Sequence, residues 1–516
     1  MYTKEDLKTF KQRGIKPEEI DRQLDNFKKG FDYISLSEPA TTGNGIQPIA
    51  ESDENSLIAA FEEAARTRKM VKMVPASGSA TRMFKDLYTF MENYHGSVEE
   101  FLQFVQIKGP GSMYDFFEKL NEFPFYDRLK AVIWEAGSDL DKMVEKREYN
   151  EILEFILTEK GLNYGNTPKG LVDFHVYRDF VRTAFDEHIA EAAFYCSNGK
   201  EAKLHFTVSE EHLSRFKERQ KKVSKVFEQM FNIKYDITYS IQKPSTDTVS
   251  VDEKGELVRD ADGKIVFRPG GHGALIYNLD EIEADIIFIK NIDNVRPDRS
   301  KAIKHKKMLA GILVQLQARI FDYLRQLDKK VTDSVLDDIE NFVFNEIGYK
   351  KPEKLTFKTE KERKKYLENL LNRPIRICGM VKNEGQPGGG PFWVKGKDGS
   401  SRLMIIESAQ INMKDKDQKK IFDSSTHFNP VDLVCGVKNY KGKKFDLEKF
   451  IDHNQGFITQ KSYKGKDIRV QELPGLWNGA MAEWITVFVD VPLSTFTPVK
   501  TVFDLQQFEH RNVVTK

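Results

Sequence analysis

The chain has 516 residues, and its 80 Lys and Arg against 79 Asp and Glu leave a formal net charge of +1. A chain so close to neutral has no overall field that would hold a polymeric anion, so we expect small-molecule partners and no nucleic acid. Hydrophobic residues make up 40% of the chain and charged residues 31%, which excludes wholesale disorder. The length allows about two to four domains.

The cysteines and the hydropathy of the chain indicate the cellular compartment to expect. The three cysteines, Cys196, Cys378 and Cys435, are far apart and form no C-x-x-C motif, which argues against a disulfide framework or a thiolate zinc site. The polar start has no apolar signal core, and no run of about 18 apolar residues occurs. We therefore expect a cytoplasmic protein without a membrane partner. The sequence leaves the oligomeric state open.

The sequence begins with two predicted short helices. Thr3 and Asp6 have the spacing of a capping box ahead of the first helix, and Pro17 opens the second. A third helix is expected over residues 52–69. We assign residues 1–55 to an N-terminal helical segment.

Strands and helices then alternate. A short buried strand at 71–75 precedes a loop of small residues, and the pattern over about 84–161 is helical, which we interpret as an insertion. A further helix is expected over 174–196, and another follows Ser209. The expected strands and the expected hairpin lie at 204–208, 236–242, 248–267 (the hairpin), 284–290, 375–381, 402–411 and 485–491.

This order of strand, small-residue loop and helix is typical of an open α/β sheet, which binds ligands at the carboxyl ends of its strands. We divide the rest of the chain into a first α/β half at 56–300, a helical insertion at 301–372, and a second α/β half with the C-terminal region at 373–516.

The first candidate site is the loop from Ala76 to Arg82. It contains Ser77, Gly78 and Thr81, and it follows a strand and precedes a helix. Exposed N–H groups at such a turn, with a cation beside them, suit an anion. The G-x-x-x-x-G-K-[ST] spacing of a P-loop is absent. An ordinary strand-to-helix turn with a surface arginine is the alternative.

Two further segments carry groups that suit a nucleotide. Lys169 follows a rigid proline and has the point charge that phosphate binding uses. Gln242 can both donate and accept hydrogen bonds, as a nucleobase edge requires. The glycine motif around His272 consists of Gly270, Gly271 and Gly273. A solvated lysine and a glycine-rich surface turn are the structural alternatives.

The remaining candidates follow later strands. Asp293 and Asn294 end an apolar strand, where oxygen ligands suit Mg²⁺ bound by one or two carboxylates and substrate phosphates. A turn that caps the strand is the alternative. Glu407 ends another strand, and Lys500 follows a proline. A flexible loop contains Gly388, Gly389 and Gly390. Each of these segments alone is also compatible with a structural role.

Taken in order, these segments resemble the nucleotide-sugar pyrophosphorylases, above all the branch with UDP-sugar and UDP-N-acetylhexosamine pyrophosphorylases. That superfamily opens with G-x-G-T-R-M/L followed by P-K. Here Gly78-Ser79-Ala80-Thr81-Arg82-Met83 is similar to it, with Ala80 at the second glycine, and Pro168-Lys169 follows after the predicted insertion. The resemblance implies a doubly wound mixed α/β sheet of the glycosyltransferase-A, or nucleotide-diphospho-sugar transferase, type with helical insertions. We expect a bacterial side branch of that superfamily.

The resemblance also implies roles for the candidate residues. Arg82, Lys169 and Lys500 would be the catalytic cations, and Asp293 would hold Mg²⁺. The nucleotide would be bound by residues of three segments: Ala76, Ser77, Gly78, Thr81, Gln242, Gly270, Gly271, His272 and Gly273. The sugar phosphate would be bound by a second set: Gly388, Gly389, Gly390, Glu407 and Asn294. The 56–300 half would then be nucleotide-binding, and the 373–516 half would lie on the sugar-phosphate side.

The reaction implied is Mg²⁺-dependent nucleotidyl transfer, in which UTP and a sugar 1-phosphate give a UDP-sugar and pyrophosphate. An existing phosphate oxygen is the nucleophile, so positioning and charge neutralisation carry the rate. One alternative is a nucleotide- or sugar-nucleotide-binding protein that has lost catalysis, which Ala80 and the insertion motivate. Another is a metal-dependent glycosyltransferase, against which the Arg82 loop argues. The sequence does not specify the sugar.

Overall fold

The computed structural model describes residues 2–178, 180–386 and 388–511. These residues form a mixed α/β structure. Its helices, numbered in chain order, are α1 (Lys4–Arg13), α2 (Pro17–Lys29), α3 (Glu51–Thr67), α4 (Lys85–Asn93), α5 (Val98–Phe104), α6 (Met113–Glu118), α7 (Tyr126–Glu135), α8 (Leu140–Glu145), α9 (Tyr149–Leu157), α10 (Ala184–Tyr195), α11 (Leu213–Phe231), α12 (Leu275–Asp280), α13 (Ser300–Leu327), α14 (Asp333–Glu346), α15 (Glu360–Leu371), α16 (Lys416–Asp423) and α17 (Phe508–Arg511).

Short strands alternate with these helices. They are β1 (Leu36–Pro39), β2 (Thr41–Thr42), β3 (Gly45–Gln47), β4 (Met70–Pro75), β5 (Asp173–Tyr177), β6 (Phe180–Thr183), β7 (Glu201–Val208), β8 (Lys234–Ile241), β9 (Thr248–Val251), β10 (Phe267–Arg268), β11 (Ile286–Lys290), β12 (Tyr349–Lys350), β13 (Ile375–Lys382), β14 (Gly390–Lys395), β15 (Ser401–Ile406), β16 (His427–Phe428), β17 (Asp432–Gly436), β18 (Phe457–Tyr463), β19 (Lys466–Glu472) and β20 (Ile485–Asp490).

The chain divides into two compact units, each built from separate stretches of sequence. The first unit contains residues 2–71, 240–289 and 306–493, and the second contains 72–239, 290–305 and 494–511. The four-part division proposed from the sequence is contiguous along the chain and stays a prediction. Among the described residues, no helix combines the length and the apolar character needed to cross a membrane.

The first unit is built around a mixed sheet. Its strand order is β2-β3-β20-β13-β17-β11, and β16 pairs with β13. Strand β13 runs parallel to β20 and antiparallel to β17. The strands are almost continuously apolar and buried, as in a sheet that is covered on both faces. Two smaller sheets of the same unit have the orders β1-β14-β15-β12 and β10-β9-β19-β18.

The second unit contains β7, most of β4 and most of β8, with β4 and β7 parallel. Phe206 of β7 packs against Phe185 of α10, with ring centroids 4.6 Å apart, and against Phe216 of α11. The helices α4 to α9 fill the interval between residues 84 and 161. The interval is therefore helical as expected, and its interpretation as an insertion stays a prediction.

Local sequence signals locate many elements correctly. The Thr3–Asp6 capping box is present, and α2 begins at Pro17. The mixed α/β class is confirmed, while the glycosyltransferase-A type of the sheet belongs to the proposal below.

Two expected elements are wrong in part. The helix expected over 174–196 begins only at Ala184, because residues from Asp173 form the antiparallel hairpin β5–β6. The strand expected over 402–411 ends at Ile406, where a 3₁₀ turn follows. The region 301–372 is helical as expected except for the short strand β12.

Candidate phosphate and nucleotide sites

Two loops that lie far apart in sequence meet in the second unit. The N–H of Lys169 donates to the carbonyl of Gly78 (3.2 Å), and the N–H of Ala80 donates to the carbonyl of Thr167 (3.2 Å). Helices α4 to α9 lie between these loops along the chain, but the loops themselves are in contact. The structure therefore joins the first two predicted site segments.

The ends of the 76–82 loop are anchored in the core. Ala76 is buried, and its N–H donates to the Thr207 carbonyl (2.8 Å). Ala80, which replaces the second glycine of the motif, is also fully buried. Its methyl group therefore fills space in the core and leaves the exposed surface of the loop unchanged.

The middle of the loop is open to solvent. Ser77 is half-buried, and Gly78, Thr81 and Arg82 are exposed. A Cβ atom placed on Gly78 would meet nothing within 4 Å, so packing does not require this glycine. In the described part of the chain, Arg82 has no ion-pair partner. The loop thus presents a cation and accessible backbone beside Lys169.

A carboxylate and two lysines form the charged centre of this site. The same Asp293 oxygen, Oδ2, accepts hydrogen bonds from Lys169 Nζ (2.8 Å) and Lys500 Nζ (2.9 Å). The other oxygen, Oδ1, is buried and has no hydrogen-bond partner among the described residues. The side chains of Asp293 and Lys169 are 9% and 14% exposed, whereas that of Lys500 is 57% exposed.

Burial and charge act in opposite directions on these groups. Burial alone would raise the pKa of Asp293, but the ammonium groups of Lys169 and Lys500 outweigh it and lower that pKa. Burial also lowers the pKa of Lys169, although Asp293 opposes the shift. The cluster contains two cations and one anion, so it has a surplus positive charge.

The segment around Lys500 is held by side-chain to backbone bonds. Asn294 is buried, and its side-chain oxygen accepts the N–H of Thr497 (3.1 Å). Asp504 accepts the N–H groups of Lys500 and Thr501 through one oxygen, both at 2.7 Å. Asn294 therefore supports the segment that carries Lys500, and its assignment to the sugar phosphate stays a prediction.

In the first unit, His272 lies against an aromatic ring. Its imidazole stacks on the indole of Trp477 with centroids 4.3 Å apart, and its Nδ1 accepts the N–H of Leu476 (3.1 Å). Burial lowers the pKa of His272, although Glu407 and Glu472 oppose the shift. A neutral ring that accepts at Nδ1 has its proton on Nε2, which lies 4.0 Å from Glu407.

The glycines beside His272 allow two backbone segments to touch. A Cβ atom on Gly273 would lie 2.2 Å from the carbonyl oxygen of Pro474, and one on Gly270 would lie 2.5 Å from that of Thr246. Gly271 has a backbone φ of 78°, an angle that residues other than glycine rarely adopt. Close packing therefore already requires these glycines, and their contact with a nucleotide stays a prediction.

The 388–390 loop reaches Glu407, which follows β15. A Cβ atom on Gly389 would lie 3.3 Å from Glu407 Cγ, and one on Gly390 would lie 2.9 Å from the Phe392 ring. Gly388 has a φ of 152°. The structure thus brings together two predicted sugar-side segments and, through Glu407, His272.

Gln242 directly follows β8. Its side-chain nitrogen is buried and has no hydrogen-bond partner in the described part of the chain. A buried amide donor without a partner is costly, so this group is suited to an acceptor from a ligand.

Sequence reasoning missed two contributors to these sites. Trp477 forms the aromatic face under His272. Its position in the glycine-containing segment PGLWNG is the sequence feature that could have revealed it. Asp504 fixes the Lys500 turn, and the spacing Thr501-x-x-Asp504 is that of a capping box.

Comparisons with known proteins give a family and a set of structural neighbours. A family model described as "Domain of unknown function (DUF4301)" matches residues 3–511. No curated protein matches the chain.

Solved structures of three enzymes are similar to the chain over most of its length. A UDP-N-acetylglucosamine pyrophosphorylase from Trypanosoma brucei, in complex with an inhibitor, has 12% identity and a TM-score of 0.46, covering 94% of this chain and 74% of that one. A mutant UDP-glucose pyrophosphorylase from Leishmania major, in complex with UDP-glucose, has 13% identity and a TM-score of 0.43, covering 97% and 77%. A UDP-glucose phosphorylase from T. brucei has 15% identity and a TM-score of 0.42, also covering 97% and 77%.

Proposed function

The chain belongs to the family described as domain of unknown function DUF4301, and we propose that it is a nucleotidyltransferase. The proposed reaction joins UTP and a sugar 1-phosphate to give a UDP-sugar and pyrophosphate. A phosphate oxygen of the sugar phosphate forms a bond to the α-phosphorus of UTP. The bond from that phosphorus to the bridging oxygen breaks, and pyrophosphate leaves with the electron pair. The proposal includes a sheet of the glycosyltransferase-A type.

The observation that carries this proposal is the Lys169–Asp293–Lys500 cluster beside the Arg82 loop. Phosphoryl and nucleotidyl transfer need cations held where charge develops, and no protein nucleophile. Asp293 holds both ammonium groups within 2.9 Å. Lys169 and Lys500 would neutralise the reacting phosphates, and Arg82 would bind the outer phosphates of UTP.

Asp293 also fits the proposed Mg²⁺. Its Oδ1 is buried and has no hydrogen-bond partner within residues 2–178, 180–386 and 388–511, and a carboxylate oxygen is a preferred Mg²⁺ ligand. Among the described residues, no group of three or more His, Cys, Asp or Glu is arranged to hold a metal, so substrate phosphates would supply further ligands. When bound, Mg²⁺ supplies additional neutralisation of phosphate charge.

We assign the nucleoside and sugar to groups of the first unit. His272 and Trp477 present a neutral imidazole and an aromatic face, and the buried side-chain nitrogen of Gln242 has no hydrogen-bond partner among the residues that the structure describes. An amide that donates and accepts suits the edge of uracil. Glu407 and Gly389 would contact the sugar, whose identity the proposal leaves open.

The direct test is release of pyrophosphate from UTP, Mg²⁺ and a panel of sugar 1-phosphates. We expect at least one sugar 1-phosphate to support turnover by the wild type. Asp293→Asn should lower that turnover about 10²- to 10³-fold, because it removes one preorganised charge from the site. The matched control is Asp236→Asn, an exposed carboxylate paired with Lys203, which should keep wild-type turnover.

Near-normal turnover by Asp293→Asn would reject the assigned site. UTP binding without pyrophosphate release, across all sugar 1-phosphates, would favour the binding-protein alternative. Sugar transfer or hydrolysis from UDP-sugars that does not depend on pyrophosphate would instead favour a glycosyltransferase.

A further inference from the structure

A second charge cluster is buried inside the second unit. It consists of Lys72 in β4, Lys290 at the end of β11, and Glu191 in α10. Lys72 Nζ donates to one Glu191 oxygen (2.8 Å), and Lys290 Nζ donates to the other (2.7 Å). These three residues are 0%, 4% and 1% exposed. Two ammonium groups therefore share one carboxylate in the interior.

The groups around this cluster leave one positive charge without compensation near pH 7, where Lys72 is still protonated although burial lowers its pKa to about 8. The Tyr195 hydroxyl donates to Glu191 (3.0 Å), and the His188 carbonyl accepts from Lys72 (3.1 Å). The Cys196 thiol donates to a backbone carbonyl. Burial raises the pKa of Tyr195 and lowers that of His188, so both side chains are neutral near pH 7. In the described part of the chain, neither lysine has an ion pair with a second carboxylate.

The cluster lies directly before both phosphate-site segments in sequence. Lys72 precedes the Ala76 loop by four residues, and Lys290 precedes Asp293 by three. His188, one helical turn before Glu191 in α10, contacts the Ile292 carbonyl through Nε2 (3.2 Å). One helix therefore holds the strand that leads to the loop and the segment that carries Asp293.

Folding stability does not account for such a cluster. Taking an ion out of water costs several kcal/mol, and apolar replacements of buried ion pairs are often neutral or stabilising. The charge that remains is buried, where salt screens it much less than it screens an exposed charge. A charge held there can contribute to the electrostatic field at the neighbouring phosphate site.

We infer that Lys72, Glu191 and Lys290 are positioning residues that place a fixed positive charge behind the phosphate site and strengthen its binding of polyanions. The inference rests on the proposed function, because it needs a polyphosphate at the Asp293 cluster. Glu191 fixes the two lysines, and their surplus charge adds to the field of Lys169 and Lys500. The cluster touches no substrate.

The test measures binding of inorganic pyrophosphate to the full chain by calorimetry. Lys290→Met and Lys72→Met each remove one lysine and leave the other paired with Glu191. Each variant therefore removes the surplus positive charge, and no buried charge is left without an ion-pair partner. Both should weaken binding about tenfold, equal to about 1.4 kcal/mol. Lys290→Arg retains the charge and should bind like the wild type. Lys225→Met removes an exposed charge of the same unit and should also bind like the wild type.

The outcomes separate this inference from the proposed function. Pyrophosphate binding by the wild type, with equal binding by Lys290→Met and Lys72→Met, would overturn the inference and leave the function in place. Failure of both Met variants to fold would make the cluster a stability element and would also overturn it. No pyrophosphate binding by the wild type would reject the phosphate site itself, and the inference with it.

Discussion

Asp293 differs from an ordinary surface carboxylate in how its two oxygens are used. One oxygen receives both lysine ammonium groups, and the other has no partner among the described residues. Lys169 is buried and fixed, whereas Lys500 is mostly exposed and lies on a turn that Asp504 holds. This asymmetry gives the site one rigid cation and one that can adjust to a ligand, which suits a phosphate whose position changes during a reaction.

His510 gives a prediction for the dependence of stability on pH. It is buried and stacked on His175, and burial, together with His175 and Arg296, lowers its pKa to about 3. In the unfolded chain a histidine titrates near 6.5. As the pH falls below that value, the unfolded state binds a proton that the folded state does not bind until about pH 3. His510 therefore lowers the free energy of unfolding by about 2 kcal/mol at pH 5 and has no such effect above about pH 7.

The measurement compares free energies of unfolding at pH 7 and pH 5. The loss between these values should be about 2 kcal/mol smaller in His510→Phe than in the wild type. Comparing the two losses removes the cost of the substitution itself. An equal loss in both proteins would show that the pKa of His510 is not lowered in the folded state.

Sequence motifs predicted which residues belong to the candidate site better than they predicted which residues contact each other. Lys169, Asp293 and Lys500 were each singled out from local motifs, and the structure brings them together. No local motif predicted that the Asn294 side chain accepts a hydrogen bond from Thr497. Nor did any motif reveal the Lys72–Glu191–Lys290 cluster, whose only signal was a lysine inside an apolar strand. Such partners lie 99 or more residues apart in sequence, where no local rule applies.

At the scale of elements, the glycine loops of the two candidate sites differ in whether packing requires a glycine. Gly273 is fixed by backbone contact with Pro474, whereas Gly78 faces open space. Gly273→Ala should destabilise the protein by about 3 kcal/mol, because neither backbone segment can yield to the new methyl group. Gly78→Ala should change stability by less than about 0.5 kcal/mol and should weaken pyrophosphate binding, because the methyl group enters the open side of the loop.

Thermal unfolding and calorimetry with pyrophosphate check both variants. The two substitutions add the same methyl group, so each serves as the control for the other. A large loss of stability in Gly78→Ala would show that the loop is packed. Unchanged pyrophosphate binding by a stable Gly78→Ala variant would place the anion elsewhere.

Helices whose end signals were recognised were predicted well, and a helix whose capping box was overlooked was not. α1 and α2 were marked by a capping box and a helix-opening proline, and their starts are confirmed. The β5–β6 hairpin was mistaken for the start of α10, although Thr183 and Asp186 form the capping box at which that helix begins. The run Phe174-His175-Val176-Tyr177 has the aromatic and β-branched residues of a strand, so propensity pointed to the correct structure there.

At the scale of the whole molecule, both units are assembled from distant stretches of chain. Residues 494–511 belong to the unit that contains 72–239, which brings Lys500 to Lys169. The alternation of strands and helices was enough to predict a mixed α/β class. It could not predict which distant stretches share a unit, because that depends on non-local packing of apolar faces.

Hydrogen exchange on the full chain can test the phosphate assignment and the nucleoside assignment separately. Inorganic pyrophosphate should slow amide exchange in second-unit segments: 76–82, 167–171, 291–295 and 498–502. Uridine should slow exchange in first-unit segments: 270–276 and 475–478. A ligand at 100 times its Kd stabilises the bound state by about 2.7 kcal/mol, so amides that exchange only from the free form should slow about a hundredfold.

The control for this measurement is α14, which carries none of the proposed ligand contacts and should exchange equally with and without either ligand. Protection by pyrophosphate that is absent from 76–82 and 498–502 would contradict the phosphate assignment. Protection by uridine that is absent from 270–276 would contradict the nucleoside assignment and leave the phosphate site standing. Because the two ligands are applied separately, each unit is tested without assuming that the other one binds.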